Sequence, residues 1–175
     1  PLDNKPEFSV VIDMPEGTAL PDPAILTASM AVKLRPFPEV TAIQTYVGTA
    51  RRFDFNGMVR HYFTRKQPWL ADIQVQLLDK TERDRTSHEI AVEARRILRE
   101  MIKGTRTRIA VVEMPPGPPV LQSVVAEVHG PDDKSRREVA KHLTRLFEEA
   151  PNLTDVDNYM REPYSYWRFE ADREK

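Results

Sequence analysis

The chain has 175 residues, 40% hydrophobic and 30% charged, with a formal net charge of −1 and a pI near 6.5. That length suits one domain or two small ones, and the near-neutral balance gives no global attraction to nucleic acid or anionic lipid. There are no cysteines, which removes disulfides, thiolate catalysis and cysteine metal sites, and no apolar run of about 18 residues that would span a membrane.

The first six residues carry no apolar signal segment, and a start at proline suggests a piece of something longer. Residues 7–14 form a β-branched run closed by Pro15-Glu-Gly17, and predict a buried strand. A helix is expected from Pro21-Asp-Pro23, because proline is well tolerated in a first turn. Its stripe is Leu26, Met30 and Leu34, widened by Ile25 and Val32, and Pro36 and Pro38 end it. Residues 41–47 read as a second strand.

A long connection, 48–70, precedes the clearest alternation in the chain. In residues 72–77 Ile73, Val75 and Leu77 face inward and two glutamines face outward. Thr86-Ser-His-Glu89 has capping-box spacing and opens a helix carrying Ile90, Ala94, Ile97, Leu98 and Met101, stopped by Gly104. Residues 108–114 make a fourth strand. The order β-α-β-β-α-β predicts an α+β, ferredoxin-like subdomain with both helices on one face of an antiparallel sheet.

Pro115, Pro116, Gly117, Pro118 and Pro119 cannot continue a helix or a central strand, and they predict a stiff hinge. Beyond it a partial second subdomain of β-α-β-β order is expected. Its strands would be 123–130, 153–159 and 166–171, and its helix would bury Val139, Leu143, Leu146 and Phe147.

The chemistry concentrates in the 49–69 loop. Arg51, Arg52, Arg60, Arg65 and Lys66 alternate with Phe53, Phe55, Tyr62, Phe63 and Trp69. Basic residues between aromatics can bind single-stranded nucleic acid, but the acidic remainder of the chain argues against it. Alternatively, residues 58–64 extend the third strand and their aromatics simply pack. Phe53 and Phe55 would still sit on a tip beside Gly57, where exposed aromatics need a reason.

Met30 and Met101 belong to helix cores, and Met14 and Met114 fall at opposite ends of antiparallel strands, so no methionine metal cluster is expected. His61, His88, His129 and His142 lack metal-site spacing, and no nucleophile-elbow or phosphate-loop motif occurs. The residues therefore point to no enzyme, no cofactor and no metal site.

Several stretches resemble the resistance-nodulation-division efflux transporter permeases of the acriflavine-resistance type. They are Leu2-Asp-Asn-Lys-Pro-Glu-Phe-Ser-Val-Val-Ile-Asp-Met-Pro-Glu-Gly-Thr18, Tyr46-Val-Gly-Thr49, Phe55-Asn-Gly-Met-Val-Arg-His-Tyr62, Ser87-His-Glu-Ile-Ala91, Met114-Pro-Pro-Gly-Pro-Pro-Val-Leu-Gln122 and Asp172-Arg-Glu-Lys175. The resemblance implies a periplasmic segment of a bacterial inner-membrane, proton-driven multidrug pump. Residues 1–118 would be the first C-terminal porter subdomain and 119–175 the beginning of the second. The whole pump would be a homotrimer working with a periplasmic adaptor and an outer-membrane channel; the fragment alone is expected to be soluble and monomeric.

Phe53-Asp-Phe-Asn-Gly57 matches the family's switch loop in aromatic spacing. The match implies substrate contact or gating by Phe53, Phe55 and Gly57, with Arg51 and Arg52 disfavouring cationic cargo. Small amphiphiles are the implied substrates. Heavy-metal members carry methionines at positions falling near Val10, Leu70 and Pro116, so the copper-type triad is absent here. The alternatives are that metal-exporting branch or a soluble ferredoxin-like binding or assembly module.

Overall fold

The computed structural model describes residues 3–52, 55–114 and 124–171. Its elements are β1 (Glu7–Asp13), α1 (Pro21–Leu34), β2 (Val40–Val47), α2 (Phe55–Val59), a 3-10 turn (Tyr62–Thr64), β3 (Leu70–Leu77), α3 (Ser87–Ile102), β4 (Arg108–Glu113) and α4 (Asp133–Glu149). The strands form one antiparallel sheet in the order β2-β3-β1-β4. Each helical crossover therefore leaps one strand: α1 carries the chain over β3, and α3 carries it over β1. This is the split-βαβ arrangement expected of a ferredoxin-like α+β unit.

Alternation decides which side chains meet the helices. Phe8, Val10 and Ile12 of β1 lie opposite Val75, Ile73 and Ala71 of β3, and Val10 and Ile12 lie opposite Val111 and Ile109 of β4. All are buried, and with Met30, Leu34, Ile90, Ala94 and Leu98 they make one core. α3 starts where its capping box places it: Thr86 Oγ1 accepts the Glu89 N–H at 3.2 Å and Glu89 Oε2 accepts the Thr86 N–H at 2.7 Å. Gly104, at φ +79°, follows α3 in the left-handed conformation glycine adopts without strain.

Three expectations need correction. The buried side of α1 runs through Pro23, Thr27, Met30 and Leu34, while Ile25 and Val32 face solvent. With 3.6 residues per turn those two lie on the opposite side of the helix, so they do not widen the stripe. Residues 58–64 do not extend β3. His61 at φ +56° breaks any extended run, and the segment closes instead into α2 and the 3-10 turn.

The β-α-β-β pattern of the second unit is not seen either. Among the described residues, 124–130 and 151–171 hold no strand, and only α4 forms. A strand exists only where a neighbour completes its ladder, and among the described residues these segments pair with none. Trp167 and Phe169 alternate as a strand would, yet they are 93% and 98% exposed. α4 has no buried residue, with Val139 and Leu146 half exposed. The expected hinge, Pro115 to Pro119, lies outside the described residues.

Candidate functional site

The helix-free face of the sheet carries Ser9, Val11 and Asp13 of β1 and Asp72 of β3, because these alternate with the core residues. The long connection folds back onto this face. It leaves β2 at Gly48, whose N–H donates to Leu70 O at 2.9 Å with φ +63°. That positive φ favours glycine, and a Cβ there, 2.7 Å from Leu20 Cδ1, would also displace the end of that half-exposed side chain.

Two arginines then fasten the loop. Arg51 is buried: its Nη1 donates to Ser9 Oγ, and its guanidinium lies 4.8 Å from the centre of the Tyr62 ring. Arg65, just past the 3-10 turn, reaches the sheet with its whole fork. Its Nη1 is 2.7 Å from Asp13 Oδ1, its Nε donates to Asp72 Oδ2 at 3.3 Å, and its Nη2 donates to Ile12 O and Ala71 O at 3.0 and 3.2 Å. The planar fork suits this multiple contact, which an ammonium could not reproduce.

The electrostatics follow from burial. Burial works against the Arg65 charge, but Asp72 and Asp13 more than restore it, so the guanidinium is held firmly protonated. Asp72 is wholly buried, and that pushes its carboxyl above the ordinary range despite the opposing pull of Arg65 and Arg51.

The segment after α4 reaches the same end of the sheet. Asp157 lies 3.1 Å from Arg108, and partial burial pushes its carboxyl upward against that arginine. Further on, Tyr164 meets Trp69 edge-on at 5.1 Å between ring centres. Its ring also packs on Gly17, where a Cβ would come within 3.1 Å of it. Between α4 and the segments around 124–128 and 152–161 lies a groove of about 760 Å³, lined by Val125, Leu143, Phe147 and Leu153 with Arg136 and Arg137 among its polar residues.

The residues expected to face cargo are thus divided. Arg51 points into the fold, Arg52 is exposed, Gly57 is buried within α2, and Phe55 begins α2. Phe53 lies outside the described residues. Reading the loop by composition marked Arg65 as one basic residue among several and missed its partners. The available signal was Asp72, an acid within an otherwise apolar and amide strand, together with Asp13 at the end of another.

Neither family models nor curated protein sequences yield a match to this chain. Solved structures do, in two crystal forms of a heavy metal efflux pump. Crystal form I superposes with a TM-score of 0.66 over 99% of this chain at 20% identity, and crystal form II with 0.59 over 87% at 19%. The chain spans only 18% and 16% of those pump chains. At this identity the likeness is one of fold: an α+β, ferredoxin-like unit of the kind built into a much longer efflux-pump chain. No helix among the described residues is long and apolar enough to cross a membrane.

Proposed function

We propose that this chain is a periplasmic porter segment of a proton-driven inner-membrane exporter of the resistance-nodulation-division type, acting by change of shape rather than by making bonds. The observation that carries this reading is the superposition on an efflux pump along nearly the whole chain. Residues 1–118 would form one porter subdomain and 119–175 the start of the next, articulated at Pro115 to Pro119. The complete transporter would act as a homotrimer with an adaptor and an outer-membrane channel.

The gating role proposed for Phe53 and Phe55 rests on the aromatic spacing of Phe53-Asp-Phe-Asn-Gly57. Arg51 on one side and Arg65 on the other fix the loop to the sheet. An amphiphile would bind by burying apolar area against the rings, at roughly 25 cal/mol per Å². With Arg51 turned inward, the exposed Arg52 is the cation left to disfavour positively charged cargo.

Export by the complete transporter should fall for amphiphilic substrates in Phe53→Ala and Phe55→Ala. Unchanged export of every compound tried would remove the gating role. A metal cargo is the second reading, favoured by the superposed structures being those of a heavy metal efflux pump. Against it, Val10, at one expected methionine position, is fully buried in the core and offers no thioether. Export of Cu(I) rather than amphiphiles by the same transporter would decide for metal.

A further inference from the structure

On the helix-free face Asp72 is the most deeply buried acid among the described residues, at 0% exposure. It stands opposite Val11 of β1 and Tyr46 of β2, and the Tyr46 hydroxyl donates away from it, to Gln44 Oε1 at 2.9 Å. Asp72 Oδ2 accepts from Arg65 Nε, but Asp72 Oδ1 is buried with no hydrogen-bond partner among the described residues. Arg65 and Arg51 of the loop and Asp13 of β1 all act on this carboxyl. Asp157, beyond α4, acts on Asp13 and Arg65 and is itself 3.1 Å from Arg108. Two carboxylates, Asp13 and Asp72, thus share one guanidinium fork.

A buried carboxylate oxygen without a donor bears its desolvation cost for as long as the group is charged, and a proton removes that charge. A proton on Oδ1 leaves Oδ2 able to go on accepting from Arg65 Nε. The fork also keeps Asp13, Ile12 O and Ala71 O, so the loop stays seated over a neutral Asp72. Lifting the loop has the opposite effect. Both guanidiniums leave with it, and the carboxyl returns to water, where it ionises in the ordinary range.

We propose that Asp72 makes the seating of the 49–69 loop proton-linked: a proton on its carboxyl holds the loop against the sheet, and loss of that proton loosens it. Burial is the largest influence on this carboxyl and raises its pKa while the loop is seated. Seating is therefore favoured most below the lifted-loop pKa, and that advantage is lost as pH rises through the seated one. The device is a property of the loop and the sheet, and it stands apart from the efflux reading.

Hydrogen exchange at the Arg65 Nε–H of the whole chain, corrected for the intrinsic effect of pH, reads the seat directly. Its protection should fall at least about tenfold from about pH 4 to about pH 7. Arg85 Nε–H, held by Glu39, should show no such fall, because that pairing is strongest above the carboxylate range. Asp72→Asn keeps the shape of the neutral carboxyl and should make Arg65 protection nearly independent of pH. If that variant fails to fold, carbon-13 labelling of the aspartate side chains follows the wild-type Asp72 carboxyl itself, which should titrate above the ordinary carboxylate range. Arg65 protection that does not fall, that falls equally at Arg85, or that falls equally in Asp72→Asn overturns the proposal. So does an Asp72 carboxyl that titrates within or below the ordinary range.

Discussion

Helices α3 and α4 are nearly the same length, 16 and 17 residues, each capped by an acceptor side chain and each with one apolar side. α3 buries Ser87, Ile90, Ala91, Ala94 and Leu98 against the sheet, whereas α4 buries none of its residues. An amphipathic stripe is an offer of burial, and a sheet must accept it before it contributes to stability. The sharpest way to break this comparison is to truncate a leucine in each. Leu98→Ala should cost about 2–5 kcal/mol of unfolding free energy, the range for a fully buried leucine. Leu146→Ala, at a site 48% exposed, should stay within about 0.5 kcal/mol. Urea midpoints at unchanged m-value measure both. Equal losses would mean that α4 has a core of its own.

A smaller effect should follow from cutting the contact that ties the two regions together. Asp155 sits at φ +55° and joins the segment after α4 to Arg95, Arg99 and the Val111 amide. Asp155→Ala removes the carboxylate that Arg95 and Arg99 share and should cost about 2 kcal/mol, below the range for a fully buried pair because Arg99 is half exposed to water. The local readout is faster exchange at the Val111 amide. Asp155→Gly separates the two contributions, since it removes the carboxylate but suits the left-handed backbone.

Much of the sheet-and-helix unit was legible because its signals are local. The alternation Ile73, Val75, Leu77 and the pair Thr86 and Glu89 each act within a few residues, and the topology follows once six elements are in order. The loop's anchoring was not legible: Arg51 meets a serine 42 positions away, and Arg65 meets a carbonyl 53 positions away. Such partners share no sequence spacing and appear only when β1 and β3 lie side by side. The strands expected over 153–159 and 166–171 failed for the converse reason. Alternation gives a strand its two faces but says nothing of who pairs with its backbone.

The subtlest contrast lies within the first region, between two acids bound by arginine. Glu39 accepts from Arg85 Nε and Nη2 at 2.6 and 2.7 Å, and this pairing holds its carboxyl below the ordinary range. Its contribution to stability is therefore present above the unfolded-state pKa and is lost as pH falls through the folded one. Asp72 runs the other way. Burial raises its folded pKa above the unfolded value, so the native state binds its proton more readily. Its contribution is fully present below the unfolded pKa and declines as pH rises through the folded one. Stability measured between pH 3 and 7 (about the carboxylate range and just above it) should thus carry opposed slopes from the two sites. In Glu39→Gln the loss on acidification should shrink. In Asp72→Asn the decline on the alkaline side of the ordinary carboxylate range should flatten, even though Arg65 keeps only Asp13 as a charged partner. If Asp72→Asn left the slope unchanged, Asp72 would bind its proton equally well in the folded and unfolded states, and burial would not have raised its pKa.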